Sequence, residues 1–350
     1  MAAANDCMSA VQVYTNQPLR IAGFSQVIIS FVALVTFVYI YAFNFKQSLT
    51  PIHRNLKVLY FTTALLAFIH ALFIIITESI HEYNRQLNLD DPCSLKWAHI
   101  PCIVLRSPIL VTIPSFTLLH AGITIESLCA TVAARYYEKV NWHLSVFLLL
   151  VISLFVGFGF YYVLKNAKFF DKSDYCLLSF VASGEAMSFL YKIVFFLNLP
   201  VTCMDLVLLL HNRKELDKTK NQALSDYKLS EVYQLRENIA ITIRVTIPLV
   251  VCRMFTDSLY LLGQGTFIRA YFATSALATY TYIQTTYCLI CLYTFFAIFI
   301  PYYCRLQKRR SIYVRPYRED TSAHFTQLNI LFQGAYQQSL LRHNNRKLKI

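Results

Sequence analysis

The sequence predicts an all-α membrane protein whose fold is a seven-transmembrane helix bundle. Three observations predict it. Of 350 residues, 56% are hydrophobic and 15% charged, and the mean hydropathy is +0.45. That composition is too apolar for a soluble domain. Seven runs reach the roughly 20 mostly apolar residues needed to cross a bilayer. Lys and Arg are distributed unevenly about those runs, which sets an orientation.

The runs are residues 21–45, 57–79, 102–135, 143–164, 187–211, 239–262 and 271–301. Residues 1–20 are mixed and polar, without the basic start and short apolar core of a signal peptide. They are read as an extracellular N-terminus, 21–301 as one bundle, and 302–350 as a basic, partly disordered cytoplasmic tail. Linkers are short except 80–101, 165–186 and 212–238. With the N-terminus outside, 21 of the 32 Lys and Arg fall in inner segments and 7 in outer ones. The net charge of +13 therefore reads as topology, with the lipid bilayer as partner and no nucleic acid. Pro114, Pro200 and Pro248 interrupt spans three, five and six, and each removes a backbone hydrogen bond.

Several function classes are excluded. Gly numbers only 8, and no phosphate-cradling loop or GxSxG motif is present. The His are dispersed, without metal or nucleophile spacing, so neither an enzyme nor a metal or other cofactor is expected. Most cysteines in the apolar runs read as small core residues. Cys93, Cys102 and Cys176 fall outside, where disulfides persist. A Cys102–Cys176 bridge would close the 165–186 loop over the bundle mouth, with Cys93 as a rival partner for Cys176. Cys304, followed by Arg305, Lys308, Arg309 and Arg310, has the setting of a palmitoylation site.

Charges inside spans are costly and usually face a partner in the interior. Depth counted at 1.5 Å per residue sorts them into two groups. Arg106, Lys192, Arg253 and Asp257, with Arg269 at the lip, form an outer group of net positive charge. It reads as a water-accessible pocket for an acidic or hydrogen-bond-accepting ligand, although Arg253 and Asp257 can neutralise each other at (i, i+4) spacing. Asp205, Arg244, Glu126 and Arg135 form an inner group. Asp205 and Arg244, at similar depth on sequential helices, are expected to pair and hold spans five and six together. His120 reads as a hydrogen-bonded structural residue.

Two stretches carry a resemblance. "IESLCATVAARYYEK" (Ile125–Lys139) closes span three, and "LSEVYQLRENI" (Leu229–Ile239) enters span six. Both resemble nematode serpentine chemoreceptors, especially the epsilon (Sre) class, with the alpha and b classes sharing parts of them. There is one departure: where that family has Glu-Arg, this chain has Glu126-Ser127. The resemblance implies a bundle of the G-protein-coupled receptor type and a chemosensory role in sensory-neuron membranes.

A two-state receptor follows. A small external chemical is expected among spans three, five, six and seven, with Tyr260, Tyr280 and Tyr282 on apolar walls. Spans five and six then part at their inner ends, exposing Arg135, Tyr136 and the 212–238 segment to a heterotrimeric G protein. The expected location is the plasma membrane, at the sensory cilium; receptor oligomers are left open. A ligand-gated channel or transporter is the alternative, but transporters often carry internal repeats and none is visible here.

Overall fold

The computed structural model describes residues 2–43, 53–88, 91, 93–132, 143–165, 167, 170–176, 184–221, 239–260 and 276–314. The chain divides into two compact units, Met1–Tyr303 and Cys304–Ile350. The first holds seven helices long and apolar enough to cross a membrane. In the second, the described residues Cys304–Val314 are helical.

Helix α1 (Ala2–Thr15) comes before the spans. The spans are α2 (Gln17–Val38), α3 (Arg54–Asn88), α4 (His99–Val132), α5 (His143–Leu164), α6 (Gly184–Asn221), α7 (Ile247–Asp257) and α8 (Ala276–Val314). A π-helical turn, Tyr39–Phe43, extends α2, and another, Thr242–Thr246, leads into α7. Helix α2 begins where Asn16 caps it, its side chain accepting from the Leu19 N–H at 3.0 Å, with Pro18 in the first turn. Both features favour a helix start.

Three boundaries differ from the hydropathy reading. Helix α3 continues nine residues past 79, α6 starts earlier and ends later, and α8 runs on to Val314. Charged residues end an apolar run without ending a helix, because Glu, Arg and Gln are good helix formers. Residues 2–15, read only as part of a polar extracellular N-terminus, form a helix.

Helix α4 is the axis of the bundle. In its most apolar stretch 67% of residues are buried, against 22% for α5. The buried residues of α5, from Ser145 through Leu148, Ile152, Val156 and Gly159 to Val163, recur every three or four positions. That stripe packs inward, while Phe147, Leu154, Phe158 and Tyr161 are exposed. Such a largely apolar outer face, whose Ser153 hydroxyl is satisfied by the Leu149 carbonyl, belongs in lipid. At Gly159 a Cβ would come within 3.2 Å of Leu190 on α6, so the missing side chain lets α5 and α6 approach closely.

One end of the bundle is tied by two disulfides. Cys102 at the head of α4 bonds Cys176, and Cys7 on α1 bonds Cys93. The first is the pairing expected over the bundle mouth; the rival Cys93 takes Cys7 instead. Strands β1 (Trp97–Ala98) and β2 (Lys172–Ser173) pair antiparallel between the two links. The indole N–H of Trp97 donates to the Tyr14 hydroxyl at 2.6 Å, fixing α1 to the same end.

Candidate functional site

Buried polar residues gather in two layers. The first lies near the disulfide end and centres on Glu78, which the hydropathy reading left at the edge of span two. Glu78 is 6% exposed. It accepts from Arg106 Nη2 at 2.7 Å, from Gln284 Nε2 at 3.0 Å and from the Tyr175 hydroxyl at 3.2 Å. Arg106 Nε donates to the Cys176 carbonyl at 3.2 Å, and Gln26 Nε2 donates to the Gln284 carbonyl at 2.7 Å. One carboxylate thus joins α3, α4, α8 and the disulfide loop, and Gln284 extends the layer to α2. Burial raises the Tyr175 hydroxyl pKa well above its ordinary value, so it stays a donor.

The second layer sits at the middle of α4 and joins α4, α6 and α7. Arg253 pairs with Asp257 at 3.0 Å, one turn along α7, as the spacing predicts. Arg253 Nη2 also donates to the Ile113 carbonyl at 2.9 Å and to the Thr117 hydroxyl at 3.0 Å, and the guanidinium lies over the Tyr293 ring. Asp257 accepts from Asn198 Nδ2 at 3.0 Å. That bond turns the Asn198 carbonyl oxygen toward His120 Nδ1, at 3.1 Å. His120 Nε2 meets Asp205 Oδ2 at 2.6 Å, and Asp205 Oδ1 accepts from Thr124 at 2.8 Å.

These contacts bear on three expectations. Two of the outer cations are balanced by buried carboxylates, Arg106 by Glu78 and Arg253 by Asp257. The expected Asp205–Arg244 pair is not formed, since Asp205 is held by His120 and Thr124 on α4 while Arg244 is exposed on the π turn. Depth along a helix does not fix which way a side chain faces. His120 is hydrogen-bonded, as expected, between Asn198 and Asp205.

The other expected residues are placed as follows. Lys192 is half-buried on α6. Tyr260 packs between Tyr191 and Tyr287, with ring centroids 5.6 and 4.9 Å away. Tyr280 packs separately against Tyr175 at 5.8 Å, and the Tyr282 hydroxyl donates to the Leu259 carbonyl. Glu126 is buried 3.9 Å from His53 Nδ1. Arg135, Tyr136, Arg269 and residues 222–238 lie outside the described residues, as does the side chain of Cys304. No group of three or more metal-binding side chains occurs among the described residues.

Sequence reasoning missed Glu78 and His81, although a signal was present. Glu78, His81, Glu82 and Arg85 recur at helical spacing, which marks one polar face of a helix that continues.

Two cavities are bounded by described residues. One of about 20 Å³ lies under Arg253, with Tyr60, His120 and Thr246 in its wall. The other, about 310 Å³, lies between α1, α2 and the end of α3.

Residues 4–325 match the family model of the serpentine type 7TM GPCR receptor class ab chemoreceptors. The chain belongs to that family. The epsilon class suggested by the two motifs is not the class matched. Among curated proteins of Caenorhabditis elegans, this chemoreceptor-family chain is 29% identical to serpentine receptor class beta-11 over 233 residues. It is 26% identical to serpentine receptor class alpha/beta-14 over 258 residues. The matches cover 65% and 70% of this chain, and 65% and 62% of those two relatives respectively.

Proposed function

We propose that this family member is a chemosensory receptor that binds a small external chemical and signals to a heterotrimeric G protein. The observation that carries the reading is the family match across residues 4–325. The N-terminus is outside: the end with two disulfides suits an oxidising compartment, and the Lys and Arg bias agrees. The location is the plasma membrane of a sensory neuron, at its cilium.

In this reading the second polar layer holds the inactive state. Ligand binding favours a state in which α6 and α7 separate at the end opposite the disulfides, shifting a pre-existing equilibrium. The hydrogen bonds that tie Asp205 to α4 and Asn198 to Asp257 then break. Arg106, Lys192, Arg253 and Asp257 transmit occupancy, and Tyr260 and Tyr280 supply aromatic wall. Arg135, Tyr136 and the 212–238 segment meet the G protein, Glu126 steadies that end, and Cys304 carries a lipid. The Asp205–Arg244 lock has no place in this scheme.

Expression with a promiscuous G protein and a calcium reporter, screened against volatile and water-soluble compounds, tests the receptor reading. Ligand-evoked currents in cells lacking G proteins would overturn it in favour of a channel. In the same cells Asp205→Asn is expected to raise basal signalling at least about five-fold, the lower end of ordinary coupling energies. Arg244→Gln is expected to leave it unchanged. A basal signal in Asp205→Asn equal to the parent's would remove the lock.

A further inference from the structure

The 310 Å³ cavity lies away from the helices expected to surround a ligand. Its apolar side comes from Leu19, Phe24 and Val27, and its base from Glu78 and His81. It opens past Tyr83, which is 62% exposed. A volume near 300 Å³ is at the small end of ligand pockets. It accommodates about ten non-hydrogen atoms at the ~30 Å³ that a water molecule occupies in the liquid.

Two polar groups in the wall have unmade hydrogen bonds. His81 is 4% exposed, and neither ring nitrogen has a hydrogen-bond partner. Its Nδ1 is 3.5 Å from Glu78 Oε2, too long for a good hydrogen bond. Aromatic rings of Tyr14, Trp97 and Tyr175 surround it, the nearest centroid 4.2 Å away. The second group is Arg20, whose Nε is buried without a partner.

Charge at the rim favours an anion. Glu82 binds Arg85 through two hydrogen bonds, at 2.9 and 2.5 Å. Arg20 reaches the same carboxylate only at 3.7 Å. Two guanidinium groups therefore share one carboxylate, and Arg20 is the loosely held one. Deeper in, Glu78 is already neutralised by Arg106. Both carboxylates of the lining are thus satisfied by other arginines, Arg20 Nε is left without a partner, and aromatic rings stand beside it.

We propose that this cavity binds a small aromatic carboxylic acid. Its carboxylate takes Arg20 and a ring N–H of His81, and its ring lies along Phe24 and Tyr14. The inference rests on the receptor reading above and gives it a ligand class and an entrance. Because Glu78 lines the cavity and also holds α4 and α8, occupancy acts directly on the first polar layer.

The test is binding of radiolabelled phenylacetate to the purified full-length chain in lipid nanodiscs. Saturable binding below about 1 mM is expected, and 2-phenylethanol should compete at least ten-fold more weakly. Arg20→Gln should weaken phenylacetate binding at least ten-fold and abolish the preference for the acid, while Arg20→Lys keeps part of both. Val27→Trp, which fills the cavity without touching a charge, should abolish binding with the thermal unfolding midpoint retained. Absence of saturable binding to the parent chain, or an affinity equal to the parent's in Arg20→Gln or in Val27→Trp, overturns the proposal. The assay needs no G protein, so it separates the two readings. Binding without signalling leaves the site and removes the receptor; signalling to other compounds without phenylacetate binding removes only the site.

Discussion

Glu78 and Arg106 show how much one buried pair can determine. Each is nearly inaccessible, and each has its charge met by the other at 2.7 Å. Removing one partner of a buried pair leaves an uncompensated charge, at a cost of about 3–5 kcal/mol, whereas replacing both by apolar groups is often close to neutral. Glu78→Gln is therefore expected to destabilise the receptor by about that amount. The double variant Glu78→Gln with Arg106→Met should recover most of it. Thermal unfolding in detergent measures both, and a double variant as unstable as the single one would contradict the account. The sequence exposed Arg106 because a lone cation stands out in an apolar run. It hid Glu78 because a carboxylate in the last turn of an apolar run looks like a residue at the membrane border. Asp205 was legible as a buried charge, but its partner was not: matched depth selected Arg244, and helix phase selected His120.

At the scale of elements, hydropathy located the seven spans because each must satisfy its backbone inside lipid. It was silent about α1, which is short, and about the polar end of α3. The π turn before α7 was half legible. Pro248 announced a break, since it has no N–H for the Arg244 carbonyl, but not the five-residue turn that precedes it. That turn carries the exposed Arg244 and precedes the buried Arg253, where α7 would swing. Pro248→Ala restores a backbone donor and stiffens the junction. The expected outcome is a maximal ligand response several-fold below the parent's, with unchanged surface expression. An unaltered maximal response would show that the hinge lies elsewhere.

At the scale of the molecule, the two disulfides close chain segments of 86 and 74 residues. By chain entropy each contributes about 4 kcal/mol. They are not equivalent, because Cys176 also presents its carbonyl to Arg106. Cys102→Ser is expected to lower surface expression and the unfolding midpoint more than Cys7→Ser. The ranking is checked by surface labelling and thermal unfolding of both variants; a reversed order would detach the loop from the polar layer. Here the sequence supplied the cysteines and the compartment, but pairing depends on α1, whose helix was not legible. The family match explains why so little of the site was visible: a chemoreceptor's specificity lives in a few side chains on a common apolar frame.

The pairing of charges within each layer has an electrical consequence. Moving one elementary charge across the membrane potential is worth about 2.3 kcal/mol per 100 mV. Asp257 and Arg253, both on α7, travel as a neutral couple, and Glu78 on α3 cancels Arg106 on α4 where those two helices move together, so such a shift displaces almost no net charge. Depolarising the cell should leave the activation curve where it was. A member of this family built this way would respond to a chemical without also responding to the membrane potential.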